Sequence, residues 1–263
     1  MEKIMEGYTA EIFRQDDGKV LKLYKPGFQS IAEIEFNKMK VLGSGNFSVP
    51  AVYSFVEKEG RTGYIMDFID GVPMSEELFN RDRQQVIKDF VSMQHSINST
   101  DIVGELFESK TKALINGIDS CDCIEKKEKE SIKEFLVQTN KENLCHNDFH
   151  FNNILHANDG YIIIDWNGAG SGNCVLDIAK TIILLGVLPA HIAYGSGSKN
   201  ERTEITGQYV DECMRHYDEL AMEHIISAVL ARIIEMINYR VMDNTKLLKL
   251  FKKIYNERSL PIE

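Results

Sequence analysis

Residues 144–170 read LCHNDFHFNNILHANDGYIIIDWNGAG. Two short apolar runs in this stretch, NILH and YIIID, are joined by Ala157-Asn158-Asp159-Gly160, and an Asp-Gly pair between β-formers is a hairpin signal because glycine accepts the backbone twist such turns need. Pairing His156 with Tyr161 across the turn sets Asn153 opposite Ile164 and beside Asp165, so the open end of the hairpin unites an amide oxygen and a carboxylate. Hard oxygen donors without cysteine or an ordered histidine set suit Mg2+, which takes one or two protein oxygens and completes its shell with water and phosphate. That pairing implies a nucleotide. Asp148 lies five residues before Asn153 in the loop entering the hairpin, where a carboxylate can orient and deprotonate a hydroxyl during phosphoryl transfer.

Other polar residues here have plainer readings. Asn147, Asn152, Asn158 and Asp159 read as turn residues whose side chains bond their own backbone. His146 and His150 have zinc-like spacing, but Asn-Asp is a poor helix centre and no glutamate follows the first histidine. His146 is therefore expected to be a buried loop anchor.

Working outward, GKVLKLYK (residues 18–25) alternates with period two and stops at Pro26-Gly27, which places Lys22 in mid-strand. SIAEIEFNKMKVL follows, opening with Ser30 and Glu33 in capping-box spacing. On a helical wheel Glu35 falls on the buried stripe, and a buried carboxylate needs a cation. Lys22 is the natural partner, with Lys38 near the same stripe as a competitor. VPAVYSFVEKEGRTGYIMDFIDG reads as two strands around Glu59-Gly60, ending at a turn-rich exit, residues 70–73. Beyond it the periodicity is helical: Val86, Phe90, Met93 and Ile97 form one stripe, and Ile226, Leu230, Ile233, Ile237 and Val241 another. These patterns predict an α+β chain, with an N-terminal lobe over 1–69 built on a small antiparallel sheet with one helix, and a larger, mostly helical lobe over 70–263. GSGSKN (residues 195–200) reads as a flexible loop.

Composition sets outer limits. The chain has 263 residues, 43% of them hydrophobic and 27% charged, and a formal net charge of −10. This is a globular composition, and its acidity argues against nucleic acid as a partner, since phosphate contacts need clustered lysine and arginine. The most apolar run, residues 182–188, is far short of the roughly 20 residues of a membrane helix, and a cytoplasmic protein without a membrane partner is expected. Five cysteines, scattered apart from Cys121 and Cys123, suit reduced thiols better than a disulfide framework. Cys121-x-Cys123 lacks the second pair of a zinc site.

HNDFHFNNIL followed by IIIDW resembles the H-G-D-x-x-x-x-N and I-D-W/F motifs of the aminoglycoside phosphotransferase and choline kinase superfamily, the small-molecule relatives of protein kinases. GKVLKLYKPG looks like that superfamily's lysine strand, EIEFNKMKVL like its glutamate helix, GYIMDFIDG like its hinge and DIAK from Asp177 like the acidic residue after the metal motif. The resemblance spans about residues 7–180. It implies a protein-kinase-like bilobal fold with ATP in the cleft, GTP being the alternative nucleotide. Lys22 would contact the phosphates and pair with Glu35; Asp148 would be the catalytic base; Asn153 and Asp165 would hold Mg2+; the backbone of Met66, Asp67 and Phe68 would meet the base of the nucleotide; and Asp177 would support the fold. The implied reaction is transfer of the ATP γ-phosphate to a hydroxyl of a small, cationic acceptor such as an aminoglycoside.

Three departures bear on that reading. CHND, with Asn147 where the aminoglycoside branch has glycine, is the choline and ethanolamine kinase form. Asn167 stands where the choline branch commonly has glutamate. Gly7 to Arg14 occupies the place of the phosphate-clamping glycine loop without its glycines, which leaves a catalytically silent nucleotide-binding regulator as a third reading. Asp211, Glu212, Asp218, Glu219 and Glu223 are candidates for an acceptor pocket, with a solvated helix face as the default.

Overall fold

The structure, a computed structural model, describes residues 2–15, 17–45, 47–102, 104–194 and 198–260. In chain order the elements are β1 (Glu2–Glu6), β2 (Ala10–Arg14), β3 (Lys19–Tyr24), α1 (Gln29–Gly43), β4 (Val52–Lys58), β5 (Arg61–Asp67), β6 (Val72–Pro73), α2 (Met74–Asn80), α3 (Arg83–Asn98), α4 (Lys110–Ser120), α5 (Lys126–Gln138), β7 (Asn143–Cys145), β8 (Ile154–Ala157), β9 (Gly160–Ile163), β10 (Gly170–Gly172), α6 (Cys174–Gly186), α7 (Ala190–Ala193), α8 (Lys199–His216), α9 (Met222–Tyr239) and α10 (Asn244–Glu257). They form two compact units, residues 1–74 with 153–168, and residues 75–152 with 169–263. The hairpin β8–β9 thus groups with the first unit, which a single cut after residue 69 does not anticipate.

The first unit is an antiparallel sheet in the order β1-β2-β3-β5-β4 with α1 packed on it. Ala10, Tyr24, Ala32, Phe36 and Tyr64 form its buried cluster, flanked by Phe28, Ile31, Val52 and Met66. The pairing of β3 with β5 is tight beside Lys22: a Cβ on Gly63 would come within 2.3 Å of the Lys22 carbonyl oxygen. The strand β1 was not legible in the sequence, and all its residues are exposed. A second small sheet, β6-β8-β9, carries the hairpin with the predicted register, His156 opposite Tyr161. The exit at residues 70–73 is more ordered than a turn, because Val72 and Pro73 pair with His156 and Leu155.

Helix starts show where local signals mislead. α1 begins at Gln29, its N-cap position is Phe28, and no side chain caps it. Ser30 lies inside the helix, and the expected capping box with Glu33 does not form. Capping boxes form instead in α5, between Glu125 and Glu128, and in α8, where Ser198 accepts from the Glu201 amide at 3.2 Å and Glu201 accepts from the Ser198 amide at 2.8 Å. Of the GSGSKN stretch, residues 195–197 lie outside the described residues. The stripe assigned to α9 also ends early: Arg240 turns left-handed with φ 51°, leaving Val241 beyond the helix and exposed.

The second unit is helical apart from the short antiparallel pair β7–β10. α6 and α9 pack together at its centre, with α8 beside α6, and α4 and α10 beside α9. Leu176, Ile178, Ile182, Ile183, Val229 and Ile233 are among the fully or nearly fully buried side chains there. Among the described residues no helix is long and apolar enough to cross a membrane.

Candidate active site

In the first unit, Lys22 reaches both oxygens of Glu35, at 3.0 and 2.9 Å, and Asp165 Oδ1 at 3.2 Å. Glu35 is 1% exposed, and Tyr24 donates its hydroxyl to the same carboxylate. Burial alone would lower the Lys22 pKa, yet Asp165 and Glu35 outweigh it and hold the ammonium well above the usual lysine value. The competing lysine goes elsewhere: Lys38 donates to the Asn167 carbonyl at 2.9 Å. One lysine therefore meets the glutamate, and the other fastens the segment after Asp165 to α1.

The hairpin brings the two oxygen donors into adjacent register. Ile164 donates its amide to the Asn153 carbonyl at 2.9 Å, directly beside Asp165. Asp165 has φ 62°, a left-handed conformation that aspartate tolerates better than most residues, and its side chain is 46% exposed against 11% for Lys22. Trp166, the only tryptophan, is fully buried, donates to the Ile163 carbonyl at 3.0 Å and meets Phe47 edge-on. An amide and an accessible carboxylate match the few hard oxygens Mg2+ takes from a protein.

Within residues 66–68, the amides of Asp67 and Phe68 already donate to the carbonyls of Ala51 and Gly18, each at 3.0 Å. The Asp67 carboxylate accepts from the Ala51 amide and from the Tyr53 hydroxyl at 2.6 Å. Its side chain braces the end of the sheet, and Met66 packs against the core cluster.

In the second unit, the loop carrying Asp148 is built from the backbone outward. Asp177, at the first turn of α6 and fully buried, accepts from the amides of His146 at 3.1 Å and Asn147 at 2.6 Å. Asn98 donates to Asp177 at 3.0 Å and in turn accepts from the Tyr217 hydroxyl at 3.0 Å. His146 is fully buried and its Nδ1 accepts from the Asp148 amide at 3.3 Å, the expected loop anchor. Phe149 and Phe151 are locked by Phe90, with ring centroids 4.5 and 4.1 Å away. Thr181 donates to the Phe149 carbonyl at 2.9 Å. His150 Nε2 lies 3.8 Å from Asp148 Oδ2. Asn147 departs from the plain turn reading: its φ is 67° and its side chain accepts from Arg232 of α9, 85 residues away. No local signal could have found Arg232.

The acidic residues after 210 do not gather into one site. Glu212 is buried against Arg215 at 2.7 Å, Glu219 pairs with Lys141 at 3.0 Å, and Asp211, Asp218 and Glu223 are exposed. One cavity of about 530 Å3 in this unit is lined by His95, Lys141, Cys174, Glu219 and His224, among others; it takes in Asp218 and Glu219 of the acceptor-pocket candidates but not Asp148. Among the described residues no group of three His, Cys, Asp or Glu side chains is arranged to hold a metal. Cys121 and Cys123 lie 3.2 Å apart, sulfur to sulfur, as free thiols.

Residues 122–202 match the model of the phosphotransferase enzyme family. No curated protein matches the chain. Among solved structures, the streptomycin-ATP-APH(2'')-IIa ternary complex is 17% identical, covers 96% of this chain and 90% of its own, and superposes with a TM-score of 0.61. Amicoumacin kinase hAmiN, in complex with AMP-PNP, Ca2+ and Ami, is 14% identical over 100% of this chain and 90% of its own, with a TM-score of 0.63. Choline kinase from Cryptosporidium parvum is 14% identical over 99% and 91%, with a TM-score of 0.54. The family match encloses His146, Asp148, Asn153, Asp165 and Asp177, and with the shared protein-kinase-like fold it bears out the resemblance to the aminoglycoside phosphotransferase and choline kinase superfamily.

Proposed function

We propose that this protein is a Mg2+- and ATP-dependent kinase that phosphorylates a hydroxyl of a small, cationic molecule. The observation that carries the reading is Lys22, a buried ammonium kept charged by Glu35 and Asp165. A fixed cation beside a carboxylate on the metal hairpin suits the phosphates of a nucleotide better than any neutral ligand. Residues 1–69 supply the nucleotide contacts, with the backbone of residues 66–68 meeting the base; residues 70–263 supply Asp148 and the acceptor contacts. Asn153 and Asp165 hold the metal, which when bound neutralises charge on the phosphate oxygens. Asp148 accepts the proton of the acceptor hydroxyl; the oxygen bonds to the γ-phosphorus as the bridging bond to the β-phosphate breaks, and ADP leaves.

ATP in one structural neighbour and AMP-PNP in another support the nucleotide. Streptomycin and amicoumacin kinase neighbours favour an antibiotic-like amine as acceptor. Asn147, in the choline kinase form of the loop, favours choline or ethanolamine as the second reading. The test is nucleotide consumption with Mg2+ and ATP or GTP against aminoglycosides, choline, ethanolamine and amino sugars. Asp148→Asn is expected to cost about 10²-fold or more in kcat. Turnover unchanged in that variant would remove Asp148 from the reaction, and nucleotide binding without transfer to any acceptor would favour the regulator.

A further inference from the structure

We propose that Arg232 is a positioning residue for Asp148, acting by holding Asn147 in the left-handed conformation that sets the course of the catalytic loop. The proposal rests on the assignment of Asp148 as the base. Asn147 immediately precedes Asp148 and has φ 67°, a region where glycine is at ease and asparagine enters when its side chain is hydrogen-bonded. The support is two-sided. The Asn147 amide donates to Asp177 at 2.6 Å, and its side-chain oxygen accepts from Arg232 Nη2.

Arg232 is 1% exposed, an expensive place for a guanidinium. Its remaining donors are committed to fixing its own position: Nε and Nη2 reach the Leu176 carbonyl at 3.2 and 3.1 Å, and Nη1 reaches both oxygens of Glu235 at 3.2 Å. Glu235 is held in turn by Lys180 at 3.4 Å. The planar fork therefore spans from α6 and its own helix to one loop residue, and that residue adjoins the base. A merely structural arginine would be satisfied by Leu176 and Glu235 alone. The third contact is directed at the catalytic loop.

The experiment compares Arg232→Met, Asn147→Gly and the double variant in the full chain, with wild type and Asp148→Asn alongside. Arg232→Met is expected to lower kcat about tenfold or more while the nucleotide KM moves less than about twofold, because a loop displaced by a fraction of an ångström misaligns the base without touching nucleotide. Adding Asn147→Gly is expected to recover part of the loss, since glycine adopts the conformation untethered. A folded Arg232→Met with wild-type kcat, or a double variant no better than Arg232→Met, would overturn the proposal. Should Arg232→Met not fold, Asn147→Ala against Asn147→Gly decides with Arg232 in place: alanine is expected to be the slower, and equal rates refute the tether. Hydrogen exchange at the amides of residues 146–148 gives a readout free of any acceptor, with about tenfold faster exchange expected in Arg232→Met and none in β3 or α1. Unchanged exchange counts against the tether. A wild type silent on every acceptor would sink the kinase reading while exchange still judges Arg232.

Discussion

At the scale of residues, the buried pair of Lys22 and Glu35 carries the most stringent expectations. Glu35→Gln leaves the buried ammonium with a neutral partner in place of Glu35 and with Asp165 at 3.2 Å, and removing one carboxylate from such a pair is expected to cost up to about 3 kcal/mol. Urea unfolding is the measurement, and a loss well under 1 kcal/mol would show that the site relaxes or hydrates. The pH behaviour of Lys22 follows from sign. Its folded pKa lies above 10.5, so the stabilisation is complete below 10.5 and lost only as pH rises through the higher folded value. An alkaline fall in kcat/KM below pH 10 is therefore expected to persist unchanged in shape when Lys22 is replaced by Arg, provided that variant retains turnover. The sequence offered two lysines for Glu35; Lys22 takes the carboxylate and Lys38 the Asn167 carbonyl. Only the packing of α1 against its neighbours separates them.

Elements succeed or fail by how locally they are specified. The hairpin β8–β9 was legible because its turn chemistry and period-two pattern fix register within a dozen residues. The α1 start was misread because Ser30 and Glu33 have the right spacing, yet the chain already turns helical at Gln29 after Gly27, whose amide donates to the Gln29 side chain at 2.7 Å. β5 depends on a residue no pattern marks. Gly63→Ala would drive a Cβ into the Lys22 carbonyl, 2.3 Å away, and is expected to cost about 1–3 kcal/mol as β5 is pushed off β3. Calorimetry on the variant checks the cost, and nucleotide titration checks the accompanying loss of affinity expected when Lys22 shifts.

For the molecule as a whole, acid sensitivity is expected to run through the same charge cluster that reaches the loop carrying Asp148. Burial alone would raise the Glu235 pKa, but Arg232 and Lys180 hold it below its ordinary value of 4.5. Its contribution is therefore complete above about 4.5 and declines as pH falls through the lower folded value. Denaturant unfolding at stepped pH should show stability falling below pH 4.5, with a shallower slope in Glu235→Gln; an identical slope would assign the loss to other carboxylates.

The sequence by itself determined that a strand-rich segment with one helix precedes a mostly helical one, the hairpin with Asn153 and Asp165 at its open end, and the candidacy of Lys22, Glu35 and Asp148. Periodicity, turn residues and motif spacing are properties of short segments, where few conformations compete. Tertiary structure alone decided that the hairpin groups with the first unit, that Asp177 takes the amides of both His146 and Asn147, and that a buried arginine on α9 reaches Asn147. Those contacts join residues tens of positions apart, and they are selected by how whole elements bury their apolar faces. Side chains such as Arg232 find their partners only after that packing is complete.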